Sequence, residues 1–171
     1  MEAEYIIIPQ TISSKELLEK NSLSASDYTT LDLKNKNFIF VKEIIQKPIS
    51  GKEIGSREYT KKSSKYFIRT KALTKESYLL DYQSEAITPI RPSAFIDKKL
   101  KEGDILLSKD SNIGEVIMLE KDLPNYAISG GIKVLRAKKD NHYLFAFLKS
   151  DFFKSQIILM TPKGATMKHA K

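Results

Sequence analysis

Apolar residues are unevenly spread along the chain, and their spacing divides it into a sparse leading third, a run of short strands and a helical end. Ser13 followed by Glu16 has the form of a capping box, and Ile12 with Leu17 has the spacing of a hydrophobic staple, so a short helix is expected over Ser14 to Lys20. Asn21 to Asn37 is rich in Ser, Thr, Asp and Asn, whose side chains compete for backbone hydrogen bonds, and reads mostly as loop. Phe38, Phe40, Val41, Ile44 and Ile45 fit either a strand or a short helix, because periodicity does not separate the two over so short a run. Pro48 to Ser64, with Gly51, Gly55 and many charges, reads as a long loop or hairpin connection.

Beyond it the pattern becomes short blocks of Ile, Val, Leu, Tyr and Phe bounded by Gly, Pro, Asp or Asn. Strands are expected at Tyr66 to Thr70, Ala86 to Ile90, Asp104 to Ser108, Glu115 to Glu120, Tyr126 to Ile128 and Gly131 to Ala137. Pro89 and Pro92 lack the N–H a ladder needs, which assigns the Ala86 segment to a short or edge strand. His142 to Ser150 and Asp151 to Met160 then carry apolar residues at amphipathic helical spacing, with Asn141 and Asp151 as expected N-caps and a break near Ser150. Strands early and helices late make the fold class α+β. A length of 171 residues suits one domain, or two subdomains with a boundary near Pro92.

Composition narrows the function. Hydrophobic content of 41% supplies a core, and the absence of Cys excludes disulfides, thiolate zinc sites and a cysteine nucleophile. The chain has no apolar run of membrane-spanning length and no basic leader at its start, so the expected location is cytoplasmic, without membrane contact. Neither a phosphate-cradling glycine loop nor a dinucleotide fingerprint is present, and two histidines, His142 and His169, do not make a zinc helix. A metal-dependent nuclease would need clustered carboxylates with a lysine. The nearest string, Asp97-Lys98-Lys99 with Glu85 upstream, reads more simply as a solvated turn, and Asp104 as a residue leading into a strand rather than a general base.

The net charge of +8 is concentrated: Lys52, Arg57, Lys61, Lys62, Lys65, Arg69 and Lys71 stand between Gly51 and Lys71 against only Glu53 and Glu58. Tyr59 and Tyr66 are interleaved with them, a composition suited to phosphate contacts, base-edge contacts or stacking. A solvated loop without a partner is the plain alternative. A second basic segment, Lys163, Lys168 and Lys171 with Gly164 and His169, closes the chain as either a phosphate-contacting turn or a frayed end.

The segment Leu100 to Gly114, LKEGDILLSKDSNIG, resembles the signature of specificity subunits of type I restriction-modification enzymes. In that family a Leu-x-x-Gly-Asp-Ile-Leu-Leu-Ser strand runs into a glycine-bearing turn ending Ile-Gly. Ser111-Asn112 departs from the Gly-Thr or Gly-Asn often found there. Tyr59, Tyr66 to Thr70, Ser129-Gly130-Gly131, Val134-Leu135-Arg136, the helical passage Asn141 to Gln156 and the Gly164-Ala165-Thr166 turn follow in the family's order, and Leu23 to Tyr28 resembles a diverged leading segment.

The resemblance, which covers roughly Leu23 to His169, implies a β-rich N-terminal subdomain and an α+β C-terminal subdomain of the DNA methylase specificity type. Residues 1–37 are then a leading helix and segment, and 38–171 one target-recognition domain. It implies a non-catalytic module that reads one half of a bipartite double-stranded DNA target. Its partners would be a methyltransferase subunit, which binds S-adenosylmethionine, and through it an endonuclease subunit; the module itself would carry no cofactor. A full specificity subunit has two such domains, so the chain is expected to be a fragment, a half-subunit or the recognition end of a fused methyltransferase. The alternative is a protein adaptor or inhibitor of a restriction complex that no longer reads DNA. The residues expected to contact DNA are Arg57, Lys61, Lys62, Lys65, Arg69, Lys109, Asn112, Lys163 and Lys168.

Overall fold

The computed structural model describes residues 6–9, 15, 29–32 and 39–160, with side chains for 15 and 39–157. Lys15 is helical, while the rest of the expected first helix, the leading segment Leu23 to Tyr28, Lys163, Lys168 and the Gly164 turn lie outside the described residues.

Strands β1 (Ile6–Pro9) and β2 (Thr29–Asp32) pair antiparallel, Ile6 opposite Asp32. β2 falls inside the stretch expected to be loop. Its Thr-Thr-Leu-Asp sequence carries too little apolar alternation to announce a strand, and its order comes from a partner distant in sequence. The ambiguous Phe38 to Ile45 run resolves as one turn of helix, α1 (Val41–Ile44), followed by a bridge from Ile45 to Ala137.

A four-stranded antiparallel sheet has the order β3 (Ile49–Ser50), β9 (Ile132–Leu135), β6 (Ile105–Ser108), β7 (Val116–Met118). A three-stranded sheet has the order β5 (Ile87–Ile90), β4 (Lys65–Ile68), β8 (Tyr126–Ile128), with β4 and β8 parallel. β5 is at the edge, where Pro89 is tolerated. The chain before and after Pro92 therefore shares one sheet. Helices α2 (Asn141–Lys149) and α3 (Asp151–Met160) complete the α+β fold.

Strand alternation sends successive residues to opposite faces and separates three cores. Ile68 and Ile128 of the small sheet meet Leu106, Ile117 and Val134 of the large one. On the large sheet's other face, Ile105, Val116 and Leu135 pack on Leu144 and Leu148 of α2. On the small sheet's outer face, Phe67, Ile90 and Ala127 pack on Ile54 with Tyr59, Ala94 and Phe95.

The helix caps differ from expectation by one residue each. Asp140, not Asn141, caps α2: its Oδ1 accepts from the N–H groups of His142 at 2.8 Å and Tyr143 at 3.0 Å. Asn141 instead accepts from Ala137 N–H at 2.6 Å, tying the helix to the end of β9. Ser150 caps α3 by accepting from Phe153 N–H at 3.3 Å, while Asp151 is already helical; the break falls at Ser150 as expected. Adjacent Asp and Asn, or Ser and Asp, are near-equal caps, so sequence does not separate them.

The turn between β6 and β7 explains the Ser111 departure. Ser111 sits at φ 61°, the left-handed region where a side chain costs about 1–2 kcal/mol. Ser111→Gly should remove that strain, offset by the freer unfolded chain. The net gain is expected to be about 1 kcal/mol, a rise of roughly 2–4 °C in Tm. An unchanged or lower Tm would show the turn is not strained at Ser111.

Candidate nucleic-acid interface

The charged Gly51 to Lys71 segment folds around the small sheet. After β3, residues 52–57 lead to Tyr59, which bridges Ile90 on the outer edge of β5, and Thr60 N–H donates to Pro89 O at 3.0 Å. Residues 61–64 then carry the chain past β5 to the start of β4. Lys61 and Lys62 ride this crossover, Arg57 lies in the single 3-10 turn before it, and all three are exposed. Among the described residues none of the three is in an ion pair. Arg91, also exposed, joins them because its N–H donates to Glu58 O at 2.9 Å, although it lies outside the charged Gly51 to Lys71 segment in sequence.

Lys65 is held differently. Its ammonium donates to Asn125 Oδ1 at 2.8 Å and lies 4.0 Å from the centroid of the Phe95 ring. On the opposite face of the same sheet end, Tyr66 and Tyr126 stack with centroids 5.1 Å apart, Tyr82 meets Tyr126 edge-on, and Lys121 lies over Tyr82 at 4.2 Å. Burial raises the Tyr82 and Tyr126 pKa values, with nearby Glu120 and Tyr126 adding to the first and Tyr66 to the second. Among the described residues the buried Tyr82 hydroxyl has no hydrogen-bond partner, and Tyr82 and Tyr126 pack against the core between the sheets, so this face is packed sheet rather than an open aromatic platform.

The remaining expected residues are elsewhere. Arg69, at the far end of β4, donates from Nε to Ala86 O at 3.4 Å and from a terminal nitrogen to Glu85 O at 2.5 Å, which fastens β4 to the turn before β5. Lys109 and Asn112 are on the β6–β7 turn, at that same far end, where Asp110 and Thr70 crowd Gly131. Lys109 is 3.9 Å from Asp110, and Asn112 Nδ2 donates to Leu73 O at 2.9 Å. Arg57, Lys61, Lys62 and Lys65 are thus gathered at one end of the small sheet, with Arg69, Lys109 and Asn112 at the other.

Asp97, in the string nearest to a nuclease pattern, uses Oδ1 to accept from Lys99 N–H at 2.7 Å and so closes a turn. Among the described residues no cluster of His, Cys, Asp and Glu could hold a metal ion. An open cleft of about 470 Å³ between Lys52 to Glu58 and Ser93 to Ile96 carries Glu53 and Glu58 against Lys52 on its walls, a net negative lining that does not suit a polyanion. No described helix is long and apolar enough to cross a membrane.

The model of a family described as type I restriction modification DNA specificity domain matches residues 33–170. Similar solved structures include an HsdS subunit from Thermoanaerobacter tengcongensis, at 15% identity and TM-score 0.51 over 74% of this chain and 30% of that one. A type I restriction-modification S subunit from M. genitalium aligns at 12% identity and TM-score 0.53 over 81% of this chain and 33% of that one. A structure describing assembly and conformational transition of the type I R-M system aligns at 17% identity and TM-score 0.47, over 63% of this chain and 25% of that one. The chain thus spans a third or less of the length of these structures. Among curated proteins none matches the sequence.

Proposed function

The chain belongs to the type I restriction modification DNA specificity domain family, and on that premise we propose that it recognises double-stranded DNA sequence-specifically, reading one half of a bipartite target. It acts without catalysis of its own, and directs a methyltransferase subunit and, through it, an endonuclease subunit. The single observation that carries the DNA reading is the gathering of Arg57, Arg91, Lys61, Lys62 and Lys65 at one end of the small sheet, with the first four exposed. Long, exposed cations such as Arg57, Arg91, Lys61 and Lys62, in no ion pair among the described residues, suit phosphates, whose contacts set affinity and register but carry no sequence information.

A randomised duplex pool passed over the full chain should enrich a short motif. Each phosphate contact contributes about −0.9 to the slope of log affinity against log salt. Replacing Arg57, Lys61 and Lys62 with Ala should flatten that slope by about 2.7 and weaken binding roughly a hundredfold near 0.15 M salt, on all sequences alike. A chain that enriches no motif and whose slope ignores these substitutions is not a DNA reader. Retained binding to a methyltransferase or to an intact restriction complex would then make it a protein adaptor.

A further inference from the structure

We infer that the Lys65–Asn125 pair reads a guanine in the major groove, and that Asn125 is a specificity-determining residue. This rests on the DNA reading proposed above. The two residues are 60 positions apart and meet because β4 and β8 run side by side, with Tyr66 N–H donating to Asn125 O at 2.9 Å.

Two kinds of lysine stand at this end of the sheet. Lys61 and Lys62 are exposed, as phosphate-neutralising groups are. Lys65 is half-buried and fixed twice, by the Asn125 carbonyl oxygen and by the Phe95 ring. Ordering a free lysine side chain on a base edge forfeits its rotamer entropy, and here most of that loss has been taken in folding. A fixed ammonium suits a base edge, where position matters, better than a phosphate, which a mobile charge can follow.

The pair also has a definite polarity. An ammonium has only donors, so the Asn125 amide must turn its oxygen to Lys65 and leave its NH2 group facing away. Asn125 is exposed, and among the described residues no carboxylate pairs with Lys65. What the pair offers outward is therefore a run of donors: two from the amide and those left on the ammonium. In the major groove only guanine presents two adjacent acceptors, O6 and N7, with no donor between them; adenine adds an N6 donor, cytosine an N4 donor, and thymine a single acceptor beside a methyl group.

The test is selection of randomised duplexes by the full chain at low salt, where phosphate contacts sustain half-site binding. The wild type should enrich a motif containing a guanine. Asn125→Asp, which keeps the shape and replaces two donors by acceptors, should lower preference for that guanine about tenfold or more and turn it towards cytosine, leaving the other positions unchanged. Lys65→Met should lower the same preference, whereas Lys61→Ala with Lys62→Ala should weaken binding without changing the motif. Both sites are at the surface, and a thermal melt checks each variant's fold. A wild-type motif without guanine, or one that both Asn125→Asp and Lys65→Met leave unchanged, overturns this inference alone. No wild-type motif at all overturns the DNA reading with it.

Discussion

Arg136→Met is expected to lower stability by about 3 kcal/mol, because it leaves the Asp104 carboxylate buried without its counter-charge. Asp104 is 2% exposed at the head of β6. Its Oδ1 accepts from Arg136 Nε at 2.6 Å, and its Oδ2 from a terminal nitrogen of Arg136 at 2.8 Å and from Lys101 N–H at 2.9 Å. The guanidinium also donates to Lys99 O at 2.8 Å. The hydrogen bond to Asp104 and its charge hold the Arg136 pKa above its usual value against the opposing pull of burial, so the guanidinium stays charged. The Arg136 side chain is 24% exposed, which places the loss at the lower end of the roughly 3–5 kcal/mol for a fully buried pair. For a chain of this size the Tm should fall by roughly 6–12 °C. Replacing both partners with apolar residues, Asp104→Leu with Arg136→Met, should lose less than the two single changes combined. Strict additivity would show that Asp104 has no energetic tie to Arg136.

That pair shows how far the sequence could be read. Gly103-Asp104 and Val134-Leu135-Arg136 were both legible as family strings, and Asp104 was assigned to a strand start rather than to catalysis. That the two strings close on each other was not, because β6 pairs with β9 across a separation that no local pattern encodes. The six expected strands from Tyr66 onward match the observed ones to within two residues at each end, whereas β1 (Ile-Ile-Ile-Pro), β2 (Thr-Thr-Leu-Asp) and β3 (Ile-Ser), two to four residues long, are too short for a periodic signal. The site follows the same division. Lys61, Lys62 and Arg57 were legible because charge density is local in sequence. Arg91 stands 20 residues beyond the dense Gly51 to Lys71 segment and joins it through the pairing of Arg91 N–H with Glu58 O. Asn125 gave no signal, since its meaning comes from a lysine 60 residues away. Arg69 was grouped with the DNA contacts by charge alone, and the fold turns it onto two backbone carbonyls.

Gly51→Ala is the change expected to disturb both the fold and the interface. A Cβ at Gly51 would lie 1.9 Å from Ser129 O and 2.5 Å from Ile128 O, both backbone atoms of the segment joining β8 to β9. No rotamer relieves such a clash, so the chain must move. Two hydrogen bonds would move with it: Gly51 N–H to Ile132 O at 3.1 Å and Lys52 N–H to Ile128 O at 3.0 Å. Overpacking of about 1–3 kcal/mol together with about 1 kcal/mol for each strained hydrogen bond gives a loss of roughly 3–5 kcal/mol. The consequence reaches the interface because Gly51 is where the chain leaves β3 for the segment that bears Arg57, Lys61 and Lys62. In the fraction that folds, DNA affinity should fall and the salt slope flatten, although no phosphate-contacting residue has been changed. Gly55→Ala is the control: its added Cβ meets nothing within 4 Å, and its backbone conformation suits any residue, so stability should stay within about 0.5 kcal/mol and binding should not change. Denaturant melts and a salt titration of both variants distinguish the two glycines. If Gly51→Ala melts like Gly55→Ala, the close approach of Gly51 to Ser129 is not what holds the basic segment against the sheet.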